Sequence, residues 1–324
     1  MEAREKQIEE RTAETEEILD RQEGERGAET GEILDRQEEE RAVETEEILT
    51  RRRTAERSII KTYRKELWSR FTRAVQDYEL IRDGDRIAVC ISGGKDSMLM
   101  AKLFQELHRH GMQNFELVFL VMDPGYNPEN RQKLLDNAAL LGIPVTVFSS
   151  RIFDIVAKEG ESPCYLCARM RRGSLYAKAK ELGCNKIALG HHYDDVIETI
   201  LMGMLYSGQI QTMMPKLHSN NFEGMELIRP LYLVREADII RWAAFNGLQF
   251  LRCACRFTEN QALGVGKESK RARTKELIRM LAAEDPVIES NIFKSVENVN
   301  LTTVIAYKKD DIRHHFLEHY DYPR

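Results

Sequence analysis

The sequence predicts an α/β fold built on a doubly wound parallel sheet, and three observations carry that expectation. Four short apolar runs rich in Val and Ile, RIAVCI (86–91), FELVFLVM (115–122), PVTVFS (144–149) and KIALG (186–190), are separated by segments of helical spacing near 96–110, 129–141, 165–182 and 194–206. Runs that short and that continuously apolar are buried on both faces, which is the habit of parallel strands covered by helices. SGGKDS follows the first run and GHHYDD follows the fourth, so both motifs stand at strand carboxyl ends, where open α/β sheets bind ligands.

The chain of 324 residues is 42% hydrophobic, enough for a sizeable core and more than one structural unit. No apolar run approaches the roughly 20 residues of a membrane helix, and the acidic N-terminus lacks the basic and apolar segments of a secretory signal, so a cytoplasmic enzyme with no membrane partner is expected. The net charge of −5 is uneven: residues 1–57 carry 20 acidic and 11 basic side chains, which leaves 37 basic against 33 acidic in 58–324. That small excess permits a polyanionic partner without requiring one.

Residues 1–57 are read as a helical or disordered extension. ERTAETEEILDRQEG from Glu10, ERGAETGEILDRQEE from Glu25 and ERAVETEEILTRRRT from Glu40 recur every 15 residues. Fifteen residues is about 60° beyond four helical turns, so the pairs Ile18-Leu19, Ile33-Leu34 and Ile48-Leu49 drift round the axis and make no heptad seam. A charged solvated helix results, or a tethering arm. Residues 58–85 follow as an amphipathic lead-in helix, with Ile60, Tyr63, Leu67, Phe71, Val75 and Tyr78 at helical spacing and Asp83-Gly84-Asp85 breaking the chain. Lys61, Arg64, Lys65, Arg70 and Arg73 on it are available to an RNA backbone. The sheet domain is placed at 86–262 and a C-terminal helical region at 263–324.

In SGGKDS, Gly93 and Gly94 let backbone N–H groups approach a phosphate at a helix N-terminus, Lys95 adds a point charge, and Ser92 and Ser97 add hydroxyls. Asp96 is a candidate metal or loop-bracing carboxylate. The Walker A pattern GxxxxGK[ST] is absent here, since Lys95 is followed by Asp96, so this is not the loop of P-loop kinases or GTPases.

The six cysteines are Cys90, Cys164, Cys167, Cys184, Cys253 and Cys255. Cys164 and Cys167 form CxxC at the start of a helix, where the positive end favours thiolates. Together with Cys253-Ala254-Cys255, bare spacing leaves structural zinc, redox and iron–sulfur roles open, with zinc favoured. Cys90, inside a strand, and Cys184, after Gly183, are expected to pack.

SGGKDS (92–97) resembles the pyrophosphate loop, or PP-loop, of N-type ATP pyrophosphatases. PCYLCARMRRGSLYAKAKELG (163–183), LGHHYDDVIETILMGMLYSG (189–208) and IRPLYLVREADIIRWA (228–243) together resemble tRNA 2-thiocytidine synthetases of the TtcA type and related tRNA thiolases. The resemblance covers roughly residues 60–260. It implies the adenine nucleotide hydrolase-like Rossmann-type fold, ATP and Mg²⁺, tRNA as substrate, a cysteine desulfurase or other sulfide donor as partner, and a homodimer. The reaction implied is adenylation of the C2 carbonyl of an anticodon-loop cytidine, position 32 in the family, and its replacement by sulfur delivered through a 4Fe-4S cluster. Three cysteines would hold the cluster: Cys164, Cys167 and Cys253, with Cys255 as alternative third ligand because RCACRF departs from the downstream CxxC of many relatives. A lysidine-type ligase, which needs no sulfide carrier, and a zinc-stabilised nucleotide-binding adaptor are the competing readings.

The remaining candidates follow from position. Gly190, His191, Asp194 and Asp195 can face nucleotide phosphates and Mg²⁺, with Asp195 suited to metal or proton work and Asp194 to capping the helix. His191 and His192 point in different directions, which disfavours a shared metal. Asp123 approaches the ribose or is a turn aspartate in DPGY. Arg169, Arg171 and Arg172 put positive charge beside the CxxC pair, with Arg171 the candidate for catalysis. Tyr165, Tyr193 and Tyr206 are available to stack on a flipped base, and the basic tract 266–280 is either a tRNA footprint or a solvated helix face.

Overall fold

The computed structural model describes residues 46–111, 113–150, 152, 163–251, 269–318 and 320, and the chain falls into two units, Met1–Thr54 and Ala55–Arg324. Of the first unit, residues 46–54 are helical, with Leu49 exposed; the earlier repeats lie outside the described residues. The rest concerns the second unit.

Its lead-in is not one regular helix. Residues 55–60 are α-helical, Arg64–Trp68 form a π-helical turn, and α1 runs over Ser69–Asp77. The cause lies in the spacing of the buried side chains: Ala55, Ile59, Leu67, Phe71 and Val75 recur at multiples of four residues. A regular α-helix advances about 400° in four residues, so that stripe would turn away from the core by about 40° at each step. A wider turn with i to i+5 bonding, such as Tyr63 N to Ser58 O at 2.8 Å, takes up the drift.

The sheet follows as the apolar runs predict. β1 (Arg86–Ile91), β2 (Glu116–Asp123), β3 (Val145–Ser149), β4 (Lys186–Ala188), β5 (Lys216–His218) and β6 (Glu226–Ile228) lie in the order β3-β2-β1-β4-β6-β5. All neighbours are parallel except β5 and β6. The covering helices are α2 (Lys95–His110), α3 (Pro128–Leu141), α4 (Pro163–Glu181), α5 (Tyr193–Ser207) and α6 (Glu236–Phe245). Asn127 starts α3 by accepting from Asn130 N at 2.7 Å, with Pro128 at the first helical position. The doubly wound parallel sheet expected from the sequence is therefore present. The short antiparallel β5–β6 pair was not foreseen, because three-residue strands give too little alternation to read.

The chain winds from β1 outward to β3 and then returns to β4 on the other side of β1. The connections on either side of β1 thus leave in opposite directions, which opens a crevice at the carboxyl ends of β1 and β4. Downstream, α7 (Lys270–Glu284) and α8 (Ile288–Ser295) pack beside α5, with Ile278 and Phe293 buried against Val196, Ile197 and Ile200. The C-terminal region is not wholly helical as expected: an antiparallel hairpin of β7 (Ala306–Lys309) and β8 (Ile312–His315) follows. Its residues are largely polar and exposed, so the sequence lacks a buried-strand signature there.

Cys90 and Cys184 are buried in one apolar cluster with Tyr176 and Ile187, and burial pushes the Cys90 thiol up to about 12. Both serve packing, as expected.

One buried cation ties the amino ends of the sheet together. The side chain of Lys186, 3% exposed, reaches Asp85 Oδ2 at 2.8 Å and Glu226 Oε2 at 3.1 Å, and donates to Leu80 O at 2.9 Å. Lys186→Ala takes the shared cation from two largely buried carboxylates, so the unfolding free energy in urea should fall by about 3 kcal/mol.

Candidate active site

The loop after β1 reaches α2 through Gly93 at φ +82 and Gly94 in extended backbone. Left-handed backbone at Gly93 suits glycine alone, and a Cβ there would also stand 2.7 Å from a Leu251 methyl and 2.9 Å from one of Leu134. Ser97 shapes the turn. Its Oγ accepts from Ser92 N at 3.1 Å and donates to Gly94 O at 3.0 Å, and it lies 3.2 Å from Ser92 Oγ. No side chain caps the start of α2, whereas Asn127, His192 and Ser269 cap α3, α5 and α7. Its first N–H groups therefore stay available to an anion.

Across the crevice, Gly190 follows β4 and presses on the same loop. A Cβ at Gly190 would meet Ser97 N at 3.2 Å and Asp96 C at 3.3 Å, which are backbone atoms that cannot swing aside. Leu251 N donates to Gly93 O at 3.1 Å, so a third segment also touches the glycine turn.

The charges form chains. Lys95 Nζ lies 3.1 Å from Asp96 Oδ1 and 3.1 Å from Glu236 Oε1 at the start of α6. Burial alone would lower the Lys95 pKa, but these two carboxylates outweigh it and raise it. Burial works against Glu236 ionising, yet hydrogen bonds and charge from Lys275 and Lys95 hold it down at about 2. Glu236 is thus shared by two lysines, one of them on α7. Asp96 Oδ1 is buried, with Lys95 Nζ at 3.1 Å and His192 Nε2 at 3.9 Å. A carboxylate beside an anion-binding turn fits a Mg²⁺ site, since Mg²⁺ takes one or two carboxylates and completes its shell with phosphate and water.

GHHYDD assumes roles different from some of those expected. His192, not Asp194, caps α5: its Nδ1 accepts from Asp195 N at 3.4 Å while Asp195 Oδ2 accepts from His192 N at 3.1 Å. The other oxygen of Asp195 accepts from Arg271 Nη1 at 2.8 Å. Asp194 accepts from Glu236 N at 2.6 Å and from Arg235 at 3.0 and 3.2 Å, so it caps α6 from a distance. Both carboxylates are thus already engaged by arginines and backbone amides. Asp123 accepts from Gly125 N and Tyr126 N, each at 2.9 Å, and pairs with Arg131 at 3.3 Å, which is the turn role. That turn sends Tyr126 Oη to Ser92 O at 3.3 Å and braces the glycine loop.

Other expectations divide in the same way. Arg169 and Arg172 are exposed on α4 and Arg171 is half-buried. Cys164 and Cys167 sit in the first turn of α4, with side chains outside those described, and Cys253 and Cys255 lie outside the described residues altogether. Among the described residues, no three His, Cys, Asp or Glu side chains gather as a metal site. Tyr193 is not a free stacking platform: it lies flat on Phe293 at 4.5 Å and bonds Glu289 O. Tyr206 is exposed under Lys270, and Tyr165 has no described side chain. Arg271 and Lys275, from the basic tract, turn out to neutralise Asp195 and Glu236. Sequence reading missed Glu236, Arg235 and Arg229; the only signal was their place inside IRPLYLVREAD.

The chain matches the model of the PP-loop domain family over residues 64–255. It is 38% identical over 231 residues to the tRNA-cytidine(32) 2-sulfurtransferase of Pelobacter propionicus, covering 70% of this chain and 83% of the relative. With the enzyme of the same name from Coxiella burnetii it shares 38% over 254 residues, 76% of this chain and 95% of the relative. Among solved structures it resembles the U34-tRNA thiolase NcsA from Methanococcus maripaludis with its [4Fe-4S] cluster, at TM-score 0.57 and 20% identity, covering 71% of this chain and 77% of that one. α7, with Arg271 and Lys275, lies beyond the PP-loop domain match.

Burial, reinforced by Arg229, pushes His191 down to about 4. Its unfolded form binds a proton near pH 6.5, so His191 should withdraw stability as pH falls from about 6.5 to 4, and none further below. His191→Gln should flatten that part of a pH series of urea midpoints. Glu236→Gln should instead flatten the part from about 4.5 to 2, where protonation of the native carboxylate removes its contribution.

Proposed function

The chain belongs to the PP-loop family of tRNA-cytidine(32) 2-sulfurtransferases, and from that premise we propose that it uses ATP to replace the C2 oxygen of a tRNA anticodon-loop cytidine, position 32, with sulfur. The single observation that carries the reading is the uncapped start of α2 behind the Gly93 turn, with Lys95 beside it and Gly190 pressed against it.

The chemistry follows from the poor leaving ability of a carbonyl oxygen. The C2 oxygen of cytidine attacks the α-phosphate of ATP; an O–P bond forms, the bond to pyrophosphate breaks, and pyrophosphate leaves with the electron pair. The open N–H groups of α2 and the Lys95 ammonium hold the departing charge, in the way preorganised donors stabilise developing anions. Lys95 must exchange Glu236 for phosphate, and Lys275 keeps Glu236 ionised meanwhile. Asp96, whose carboxylate Lys95 would release on turning to phosphate, is the residue that would hold Mg²⁺ on the phosphates. In the second half a C–S bond forms at C2 and the C2–O bond breaks, so AMP carries the oxygen away.

The sulfur requires a carrier, and the cysteine set suits one. Cys164 and Cys167 share a helical turn, a spacing that lets two thiolates meet one centre. Three thiolates of Cys164, Cys167 and Cys253, with Cys255 as alternative third, would hold a 4Fe-4S cluster, which would supply sulfur at the sulfide level. Arg171, one turn on from Cys167, would bring its charge beside that centre. Sulfide would come from a cysteine desulfurase or another donor, in the cytoplasm, where tRNA is found. No helix among the described residues is long and apolar enough to cross a membrane. A homodimer belongs to the same reading, and exposed Met204, Leu205 and Ile210 at the end of α5 offer apolar surface for it. The architecture at 86–262 would then be the catalytic domain and residues 1–57 an appended arm.

Anaerobic purification with iron, acid-labile sulfide and zinc analysis tests the reading first. About four irons per chain and absorption near 400 nm are expected, while zinc alone would sink the cluster mechanism. Cys164→Ala should abolish cluster and 2-thiocytidine together in tRNA nucleoside analysis. Lys95→Ala should leave the cluster intact and reduce ATP-dependent thiolation by about 10²-fold or more.

A further inference from the structure

Arg229 carries a charge that the pocket does not balance. It follows β6, whose carboxyl end adjoins that of β4, and only 7% of it is exposed. A guanidinium in such a place is costly unless a carboxylate answers it. The cations around the glycine loop each have one: Lys95 and Lys275 share Glu236, Arg235 holds Asp194, and Arg271 holds Asp195. Among the described residues Arg229 has none; its Nη1 donates to Met214 O, and its Nε is buried without a hydrogen-bond partner. Burial first, and then the charge of Arg172, push its pKa down to about 10, so it stays cationic at neutral pH. Next to it, His191 Nδ1 is also buried without a partner.

Position gives the missing partner its chemistry. β1, β4 and β6 are successive neighbours in the sheet, so the end of β6 stands about 10 Å from the strand that carries the glycine loop. An anion bound at the start of α2 and one bound at Arg229 are therefore different groups. Arg172 acts on Arg229 from α4, the helix that also carries Cys164 and Cys167.

We propose that Arg229, with Arg172 and His191 beside it, is a phosphate-binding subsite separate from the glycine loop. It rests on the reading above for the sources of its ligand: either the α-phosphate that becomes AMP or a backbone phosphate of the tRNA loop. Arg229 suits either, because its rigid planar donors match phosphate oxygens and lose little freedom on binding.

The test uses full-length protein and the substitutions Arg229→Met, which keeps the aliphatic stem and removes the charge, and Arg229→Lys, which restores charge without the fork. Affinity is measured for AMP and, separately, for an anticodon stem-loop RNA over a salt series, alongside thermal midpoint and iron content. Arg229→Met should keep its iron, melt no lower than the parent, and lose roughly 100-fold in affinity for one probe, with partial recovery in Arg229→Lys. Loss confined to AMP identifies the α-phosphate. Loss confined to RNA, with the salt slope smaller by about 0.7, identifies the tRNA backbone. Parental affinity for both probes overturns the proposal, and a lowered midpoint with parental affinities assigns Arg229 to folding instead. A parent protein that binds AMP but neither binds nor thiolates tRNA would overturn the functional reading and leave the AMP arm of this test standing.

Discussion

The active end of this protein depends on one close approach, the backbone of Gly190 against the backbone of Ser97 and Asp96. The winding order brings β4 back beside β1, and the residue after β4 must then fit beneath the turn that leaves β1. Any side chain there would push the two strand ends apart and widen the crevice. With glycine in place, the loop donors, the GHHYDD segment and the start of α6 face a common space. The Ser92–Ser97 hydroxyl pair, the Tyr126 hydroxyl and the Leu251 amide then hold the turn from three sides.

Electrostatics adds the second layer. The pocket is rich in both signs, yet its carboxylates do not offer themselves freely: Glu236 is divided between two lysines, Asp194 and Asp195 are bound to arginines, and both also cap helices. Such pairing keeps long side chains in position before substrate arrives, which lowers the reorganisation that phosphoryl chemistry would otherwise require. It also explains why a helix beyond the family match matters. α7 brings Arg271 and Lys275 to carboxylates of the α5 and α6 starts, so the pocket is closed electrostatically by a segment the PP-loop domain does not include.

Several expectations failed for an instructive reason. Asp195 looks from its spacing like a free acid beside the phosphates, and Asp194 like a cap. In the fold, His192 is the cap, Asp195 is its reciprocal partner, and Asp194 serves a helix 42 residues further along the chain. Tyr193 has the chemistry of a stacking platform, but Phe293 already lies flat on it. The basic tract 266–280 carries the charge of an RNA footprint, and part of that charge is consumed inside the molecule. In each case the residue type was readable and its partner was not, because partners come from distant segments.

The sequence by itself determined the doubly wound sheet and the glycine turn from β1 into α2, because these rest on local signals: apolar runs of strand length and glycines at a strand-to-helix turn. The tertiary structure alone decided which charges meet and which do not. Lys95 with Glu236, Arg271 with Asp195, and Arg229 with no carboxylate bonded to it among the described residues depend on strand order and helix packing, the two pairs spanning more than 70 residues of chain. Ion pairing acts over a few ångströms in space and is indifferent to separation along the backbone, so no local pattern of residues encodes it.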